Sequence, residues 1–268
     1  MRKAVRIALP STLGPNAKQR ASQLQSWLRE ALGRETEVVV ASTYEALARE
    51  LMSGKVDAAW APPFVCARIE AMGVRVLVRG IRHGASVYRA AILCSARSRF
   101  QTATAETLKG ASAIWSDKDS VGGYLLAAAF LREHALDPAR LFSAQEFAGS
   151  YRGALEGVLS SRADVTSIFA PTSGAGLAQT ASGLDEVWPA MAAEFRVLAF
   201  TDESPNDGFA VSMNVSPALL IDLEKALSSM HQTGLGAQVL KECFNAERFE
   251  VAPRMGYRAL YRVALASV

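Results

Sequence analysis

The sequence predicts an α/β protein built as two lobes. Three observations carry this: apolar strand-like runs alternate with amphipathic helical stretches from the N-terminus onward, the same alternation restarts near residue 108, and 268 residues, half of them apolar, suffice for one large or two modest cores. Val5-Arg6-Ile7-Ala8-Leu9 reads as the first strand. Residues 18–32 then place Leu24, Trp27, Leu28, Ala31 and Leu32 on one helical stripe. Glu37-Val38-Val39-Val40 is the next strand. Ser42, followed three residues later by Glu45, has the composition of a capping box. Tyr44, Leu47, Ala48 and Leu51 supply the apolar face of a second helix, which Gly54 ends. Val56-Asp57-Ala58-Ala59-Trp60 is a third strand, and Ala61-Pro62-Pro63-Phe64 reads as a loop because two prolines interrupt regular structure. A β-α-β-α-β order with short connections implies a parallel sheet covered by helices on both faces. The second run spans residues 108–168, with strands at 111–115 and 164–168 and helices after Gly123 and after Ser150.

Composition narrows the function classes. The formal charge is +3, and basic residues recur in pieces such as Arg75-Val76-Leu77-Val78-Arg79 and Arg97-Ser98-Arg99 without forming a run, so nucleic acid is not expected as the partner. No stretch has the apolar length needed to cross a bilayer. Arg2 and Lys3 precede an apolar run that Arg6 breaks and Pro10 ends, which makes a poor signal peptide and a good first strand. The expected location is therefore cytoplasmic, or periplasmic if a targeting segment was trimmed and replaced by Met1. Cys66, Cys94 and Cys243 are widely spaced among apolar neighbours and read as buried thiols; His83, His134 and His231 are equally scattered. Neither set has metal-site or Cys/His spacing, so no metal, cofactor or catalytic residue is expected.

The most informative stretch is Asp117-Lys118-Asp119-Ser120-Val121-Gly122-Gly123-Tyr124, a glycine-rich turn between a buried strand ending at Trp115 and an apolar helix over residues 125–134. The first N–H groups of a helix lack partners within it and carry the positive end of its dipole, so this turn suits an oxyanion. The alternative is that Gly122 and Gly123 serve only tight backbone geometry.

With the glycine turn placed, the order of motifs becomes legible. Val56-Asp57-Ala58-Ala59-Trp60, Gly84-Ala85-Ser86-Val87-Tyr88, Asp119-Ser120-Val121-Gly122-Gly123-Tyr124, Gly149-Ser150-Tyr151-Arg152-Gly153-Ala154-Leu155, Arg162-Ala163-Asp164 and Pro205-Asn206-Asp207 follow one another as in the phosphonate/phosphite/phosphate-type substrate-binding proteins of ABC transporters, which the chain resembles over about residues 5–260. The resemblance implies the type II periplasmic-binding-protein fold: two lobes, each a mainly parallel sheet flanked by helices, joined by two hinge crossings and closing on a small ligand. The crossings are expected near residues 90–95 and 198–204, giving lobe one as 1–92 plus 203–268 and lobe two as 93–202. By the same resemblance Tyr44 and Tyr88 are tyrosines facing the ligand from the first lobe. Ser120, Val121 and Gly122 occupy a hydroxyl run that holds phosphonate oxygens, with Gly123 behind them. Tyr151 stands where a histidine is usual, and Asp207 matches a hinge-region acid. Trp60, beside Ala61-Pro62-Pro63, is a candidate for covering the ligand. Each has a plainer reading as well: Tyr44, Trp60 and Trp115 as core, Tyr88 as wall, Asp207 as part of a turn.

The chain departs from the family pattern Ser-Thr-Ser-Gly, reading Ser120-Val121-Gly122-Gly123, so two side-chain hydroxyls are missing while the backbone donors remain. At about 1.5–3 kcal/mol for each hydrogen bond to a charged group, a compact dianion should bind more weakly than in the family at large. The glutamate that greets a ligand amine in some members is also unmatched, at Ala170-Pro171-Thr172-Ser173. The function expected is a solute-binding protein that clamps a small anionic ligand for ABC import, with a permease as partner, working as a monomer and not as an enzyme. The alternatives are a cytoplasmic ligand-sensing module and an enzyme of the menaquinone- or thiamin-precursor type on the same fold.

Overall fold

The structure, a computed structural model, describes residues 4–10, 16–172 and 183–261. They divide into two compact units, Met1–Ser86 with Pro205–Val268 and the inserted Val87–Ser204.

The first unit opens with β1 (Val5–Leu9), α1 (Ala17–Leu32), β2 (Thr36–Val40), α2 (Tyr44–Met52), β3 (Ala58–Ala61), α3 (Pro63–Ala71) and β4 (Arg75–Ile81). Helix α1 buries Ala21, Leu24, Trp27 and Leu28, the predicted stripe, and ends where Gly33 takes a left-handed φ of 60° that a side chain would resist. The cap of α2 lies one residue later than the capping box suggests, with Thr43 Oγ1 accepting from Ala46 N at 3.0 Å. Pro62-Pro63 does not make a loop. Pro63 takes the first position of α3, where its missing N–H is no loss and its fixed φ already suits a helix.

The second unit runs through β5 (Val87–Ser95), α4 (Ala105–Leu108), β6 (Ser112–Trp115), a π-turn at Val121–Leu125 continuing into α5 (Leu126–Glu133), α6 (Pro138–Leu141), β7 (Ala144–Phe147), α7 (Tyr151–Leu159), β8 (Val165–Pro171), α8 (Leu184–Val187) and β9 (Phe195–Phe200), with β10 (Ser204–Pro205) at the return. The chain then adds β11 (Gly208–Val211), α9 (Pro217–Ser229), α10 (Gly234–Phe244) and β12 (Arg248–Val251) to the first unit.

Both sheets are mixed. The first has the order β12-β4-β11-β3-β1-β2; β1 pairs in parallel with β2 and β3, and the returning β11 enters antiparallel between β3 and β4. The second has the order β10-β5-β8-β6-β7, with β9 also on β5; β6 is parallel to β7 and β8, and β5 antiparallel to β8 and β9. The two units divide at 86/87, ahead of the range read from the sequence, and at 204/205, the end of the range read there. The reason for the first is that β5 is one unbroken strand, hydrogen-bonded along Tyr88–Cys94 to β8, so the chain has already changed sheets before residue 90. Tyr88 accordingly belongs to the second unit, not the first.

Within the first unit, Asn206 fastens the two chain segments that cross. It is buried; its N–H donates to Ser86 O at 2.9 Å, and its Nδ2 donates to Gly80 O at 3.0 Å and Ala85 O at 2.9 Å. Tyr257, near the C-terminus, donates its hydroxyl to Asn206 O at 2.6 Å. A buried amide with its polar atoms so engaged is expensive to replace. The core of this unit packs α1, α9 and α10 on the sheet around Trp60, Phe209, Phe244 and Phe249.

Candidate functional site

The residues predicted to bind ligand are divided between the two units. Trp60 is 3% exposed, and its ring lies 4.9–5.3 Å from those of Phe209, Phe244 and Phe249, which corrects its assignment as a ligand cover: the side chain is spent on the core. Tyr44, half-buried, opens α2 of the first unit. Asp207, in the same unit, forms an ion pair with Arg82, whose guanidinium also donates to Asn245 O and Phe244 O. Tyr88, half-buried on β5, stands opposite Pro171 of β8. A groove of about 640 Å³ on the first unit, lined among others by Trp27, Glu30, Lys225 and Leu235, contains none of the predicted residues.

Ser120, Gly122, Gly123 and Tyr151, by contrast, meet at one edge of the second sheet, where β6, β7 and β8 end. After β6, Asp117 Oδ1 accepts from Asp119 N at 2.8 Å and folds the loop back, and Ser116 N donates to Gly123 O at 3.3 Å. Ser120 caps the next helix, its Oγ accepting from Gly123 N at 3.2 Å, while Leu125 N reaches Ser120 O at 3.0 Å in the five-residue spacing of a π-turn. Ser150 caps α7 in the same way, its Oγ accepting from Gly153 N at 3.0 Å. Two helix starts therefore share this edge. A hydrogen bond of 3.3 Å from Ser120 Oγ to Tyr151 Oη joins them, and the Tyr151 ring packs edge-on against Phe169 of β8 at 5.5 Å.

The two glycines owe their place to space, not to backbone freedom. Neither has a positive φ. A Cβ on Gly123 would fall 1.8 Å from Ser116 Oγ. One on Gly122 would meet Phe169 Cβ at 3.0 Å, Phe169 Cα at 3.1 Å and Tyr151 Oη at 3.0 Å. Position 122 thus cannot carry the serine of the family pattern without displacing its neighbours, and the hydroxyl standing next to that position comes from Tyr151 instead. Val121 is buried, so it offers the edge its backbone and not its side chain. Ser116 Oγ and Ser167 Oγ, both buried in this unit, have no hydrogen-bond partner among the described residues. Sequence reading missed Phe169 and Ser116 because nothing local marks them; only the fold brings them to the glycines. Of the stretch 170–173, Ser173 lies outside the described residues, and Thr172 Oγ1 donates to Val87 O at 3.2 Å.

The thiols are buried, as read from the sequence. Burial pushes the Cys66 thiol far up, with Asp207 adding to the shift, and pushes Cys243 up to about 11. Among the described residues no helix is long and apolar enough to cross a membrane, and no group of His, Cys, Asp and Glu could hold a metal ion.

Residues 7–257 match the model of the family described as ABC transporter, phosphonate, periplasmic substrate-binding protein. Among solved structures, a Xanthomonas citri protein bound to chloride ion is similar with a TM-score of 0.81 at 17% identity, covering 98% of this chain and 97% of its own. The same protein bound to ATP gives a TM-score of 0.79. PhnD1 from Prochlorococcus marinus, in complex with methylphosphonate, gives 0.75 at 14% identity, covering 99% of this chain and 98% of its own. At these identities the solved structures establish the two-lobed periplasmic-binding-protein fold.

Proposed function

Since the chain belongs to the phosphonate family of periplasmic substrate-binding proteins of ABC transporters, we propose that it binds a small anionic solute and delivers it to a permease, without turning it over. The observation that carries the anionic part is the meeting of two helix starts, at Ser120–Gly123 and at Ser150–Gly153, joined through the hydroxyls of Ser120 and Tyr151. Backbone donors and two positive dipole ends directed to one place favour negative charge. That the similar proteins carry chloride, ATP and methylphosphonate, all anions, supports the reading. The periplasm is the compartment it implies.

The expected penalty from the missing hydroxyls is smaller than the sequence suggests. One of the two is replaced in kind, because Tyr151 brings a hydroxyl beside the position where a serine at 122 would place its own. Phosphonates therefore return as candidate ligands, with the shape of the site set by a tyrosine ring in place of an imidazole.

Calorimetric titration with methylphosphonate, inorganic phosphate and chloride tests the proposal. Binding of at least one of them, weakened about tenfold to hundredfold by Tyr151→Phe, is expected from the worth of one hydrogen bond to a charged group. No heat from any of the three, with neutral solutes binding instead, would overturn it.

A further inference from the structure

One hydroxyl at this edge is engaged by nothing. Ser116 directly follows Trp115, the last residue of β6; it is 3% exposed, and its Oγ is buried with no hydrogen-bond partner among the described residues. The backbone of Ser116 is held against the π-turn, its N–H donating to Gly123 O at 3.3 Å. The side chain lies against the same glycine. A Cβ on Gly123 would fall 1.8 Å from Ser116 Oγ and 2.8 Å from Ser120 Oγ, so the two oxygens stand no farther apart than the sum of these, 4.6 Å. Ser120 Oγ is in turn 3.3 Å from Tyr151 Oη, which strings three hydroxyls along the two helix starts.

Gly123 makes room for this hydroxyl. Its φ is not positive, so the backbone does not ask for glycine there; what the missing side chain leaves is the space that Ser116 Oγ fills. Packing alone does not explain the arrangement. A buried hydroxyl without a partner has given up its bond to water for nothing, whereas alanine at 116 would leave out only that oxygen and carry no such cost. Thr166 and Ser167 also bury unpartnered hydroxyls, but they lie within β8; Ser116 stands at a helix start beside a second hydroxyl. The spacing suits a shared guest, since two O–H···O bonds of about 2.8 Å meeting at a roughly tetrahedral angle on one acceptor span about 4.6 Å. The hydroxyl is closed to solvent where it lies. Rotation about χ1 between the staggered wells of serine is the movement that brings it to a ligand, with no change in the backbone.

We propose that Ser116 is a specificity-determining residue of the anion site, its hydroxyl turning to share one ligand oxygen with the hydroxyl of Ser120 while Tyr151 serves a second. The inference rests on the anionic reading above. It narrows the ligand class to oxyanions with at least two oxygens, such as a phosphonate or phosphate. It also accounts for a site that has shed two hydroxyls: Tyr151 stands in for one, and Ser116, from the strand behind the turn, for the other.

The test pairs calorimetry with methylphosphonate and inorganic phosphate with thermal unfolding in the absence of ligand, on the full chain, on Ser116→Ala and on Thr166→Val. The last removes a buried, unpartnered hydroxyl from within β8. Ser116→Ala takes away one oxygen and adds no atom. Its expected signature is a split: a melting temperature no lower than the parent's, because an unsatisfied group is gone, with affinity for the anions down about tenfold to hundredfold, the worth of one hydrogen bond to a charged group. Thr166→Val should change affinity no more than twofold. If the unaltered protein binds the anions and Ser116→Ala binds them equally well, the role of Ser116 is refuted while the anionic reading stands. The role is refuted too if Ser116→Ala and Thr166→Val lose affinity alike and both melt lower, since the loss would then be one of general packing. If the unaltered protein binds neither anion, both readings fall. Should Ser116→Ala fail to fold, Ser116→Gly decides: full affinity in that variant refutes the role.

Discussion

Replacing Gly122 by serine restores a residue of the family pattern, yet the structure requires it to destabilise this protein. The new Cβ would stand 3.0 Å from Phe169 Cβ, 3.1 Å from Phe169 Cα and 3.0 Å from Tyr151 Oη, where ordinary carbon contacts begin near 3.5 Å. Two of the three neighbours belong to a strand residue paired with Ala90, so relief by backbone movement is resisted by the sheet. Overpacking of this kind costs about 1–3 kcal/mol. At about 2–4 °C per kcal/mol for chains approaching this size, the melting temperature should fall by several degrees. Tyr151→Phe removes one of the three collisions, so the double variant should be more stable than the sum of the two single changes by about 0.5–3 kcal/mol, the coupling usual for residues in contact. Thermal and denaturant unfolding of the four proteins measures this directly. A Gly122→Ser variant as stable as the parent, or a double variant whose losses simply add, would refute the argument that Tyr151 and a serine at 122 compete for one space.

Two further outcomes follow from the packing. Trp60→Ala should cost about 3–5 kcal/mol of stability, as expected for emptying a buried aromatic site, while any methylphosphonate affinity of the folded fraction stays within twofold; a large affinity loss at unchanged stability would return Trp60 to the binding residues. Burial raises Cys66 and Tyr257 above their ordinary values and Cys243 to about 11, so folding holds these groups protonated where the unfolded chain would release their protons. The stability they contribute is complete below about pH 8.5, the unfolded thiol value, and declines as pH rises toward the folded ones. Melting temperatures that are flat or rising from pH 8 to 10.5 would contradict the assignment.

How far the sequence could be read depended on how local each signal was. The glycine turn, the helices that follow Gly123 and Ser150 and the stripe of α1 are written within one or two helical turns of chain, and they were legible; the caps at Ser120 and Ser150 were not read. The reason for the glycines was not: Ser120 and Tyr151 are 31 residues apart, and Phe169 is farther still, so the crowding at position 122 exists only once β8 lies against the π-turn. Trp60 misled because an indole at a strand end beside two prolines looks the same in sequence whether it faces a ligand or three phenylalanines. The first crossing was read a few residues late because a nine-residue strand such as β5 carries no internal mark saying on which side of it the chain changes sheets.

The place of β11 in the first sheet has a consequence for the order in which the chain can be completed. β3 and β4 are not neighbours; the slot between them is filled by Gly208–Val211, and the sheet is finished at its β4 edge by Arg248–Val251. During synthesis the inserted unit, a single continuous stretch, therefore has all its strands while the unit that starts first still exists as two unjoined fragments, β2-β1-β3 and β4 alone. The usual precedence of N-terminal parts is inverted. The half of the molecule that holds the candidate anion site is ready early, and the other half waits for the last sixty or so residues, among them the Tyr257 hydroxyl that braces Asn206.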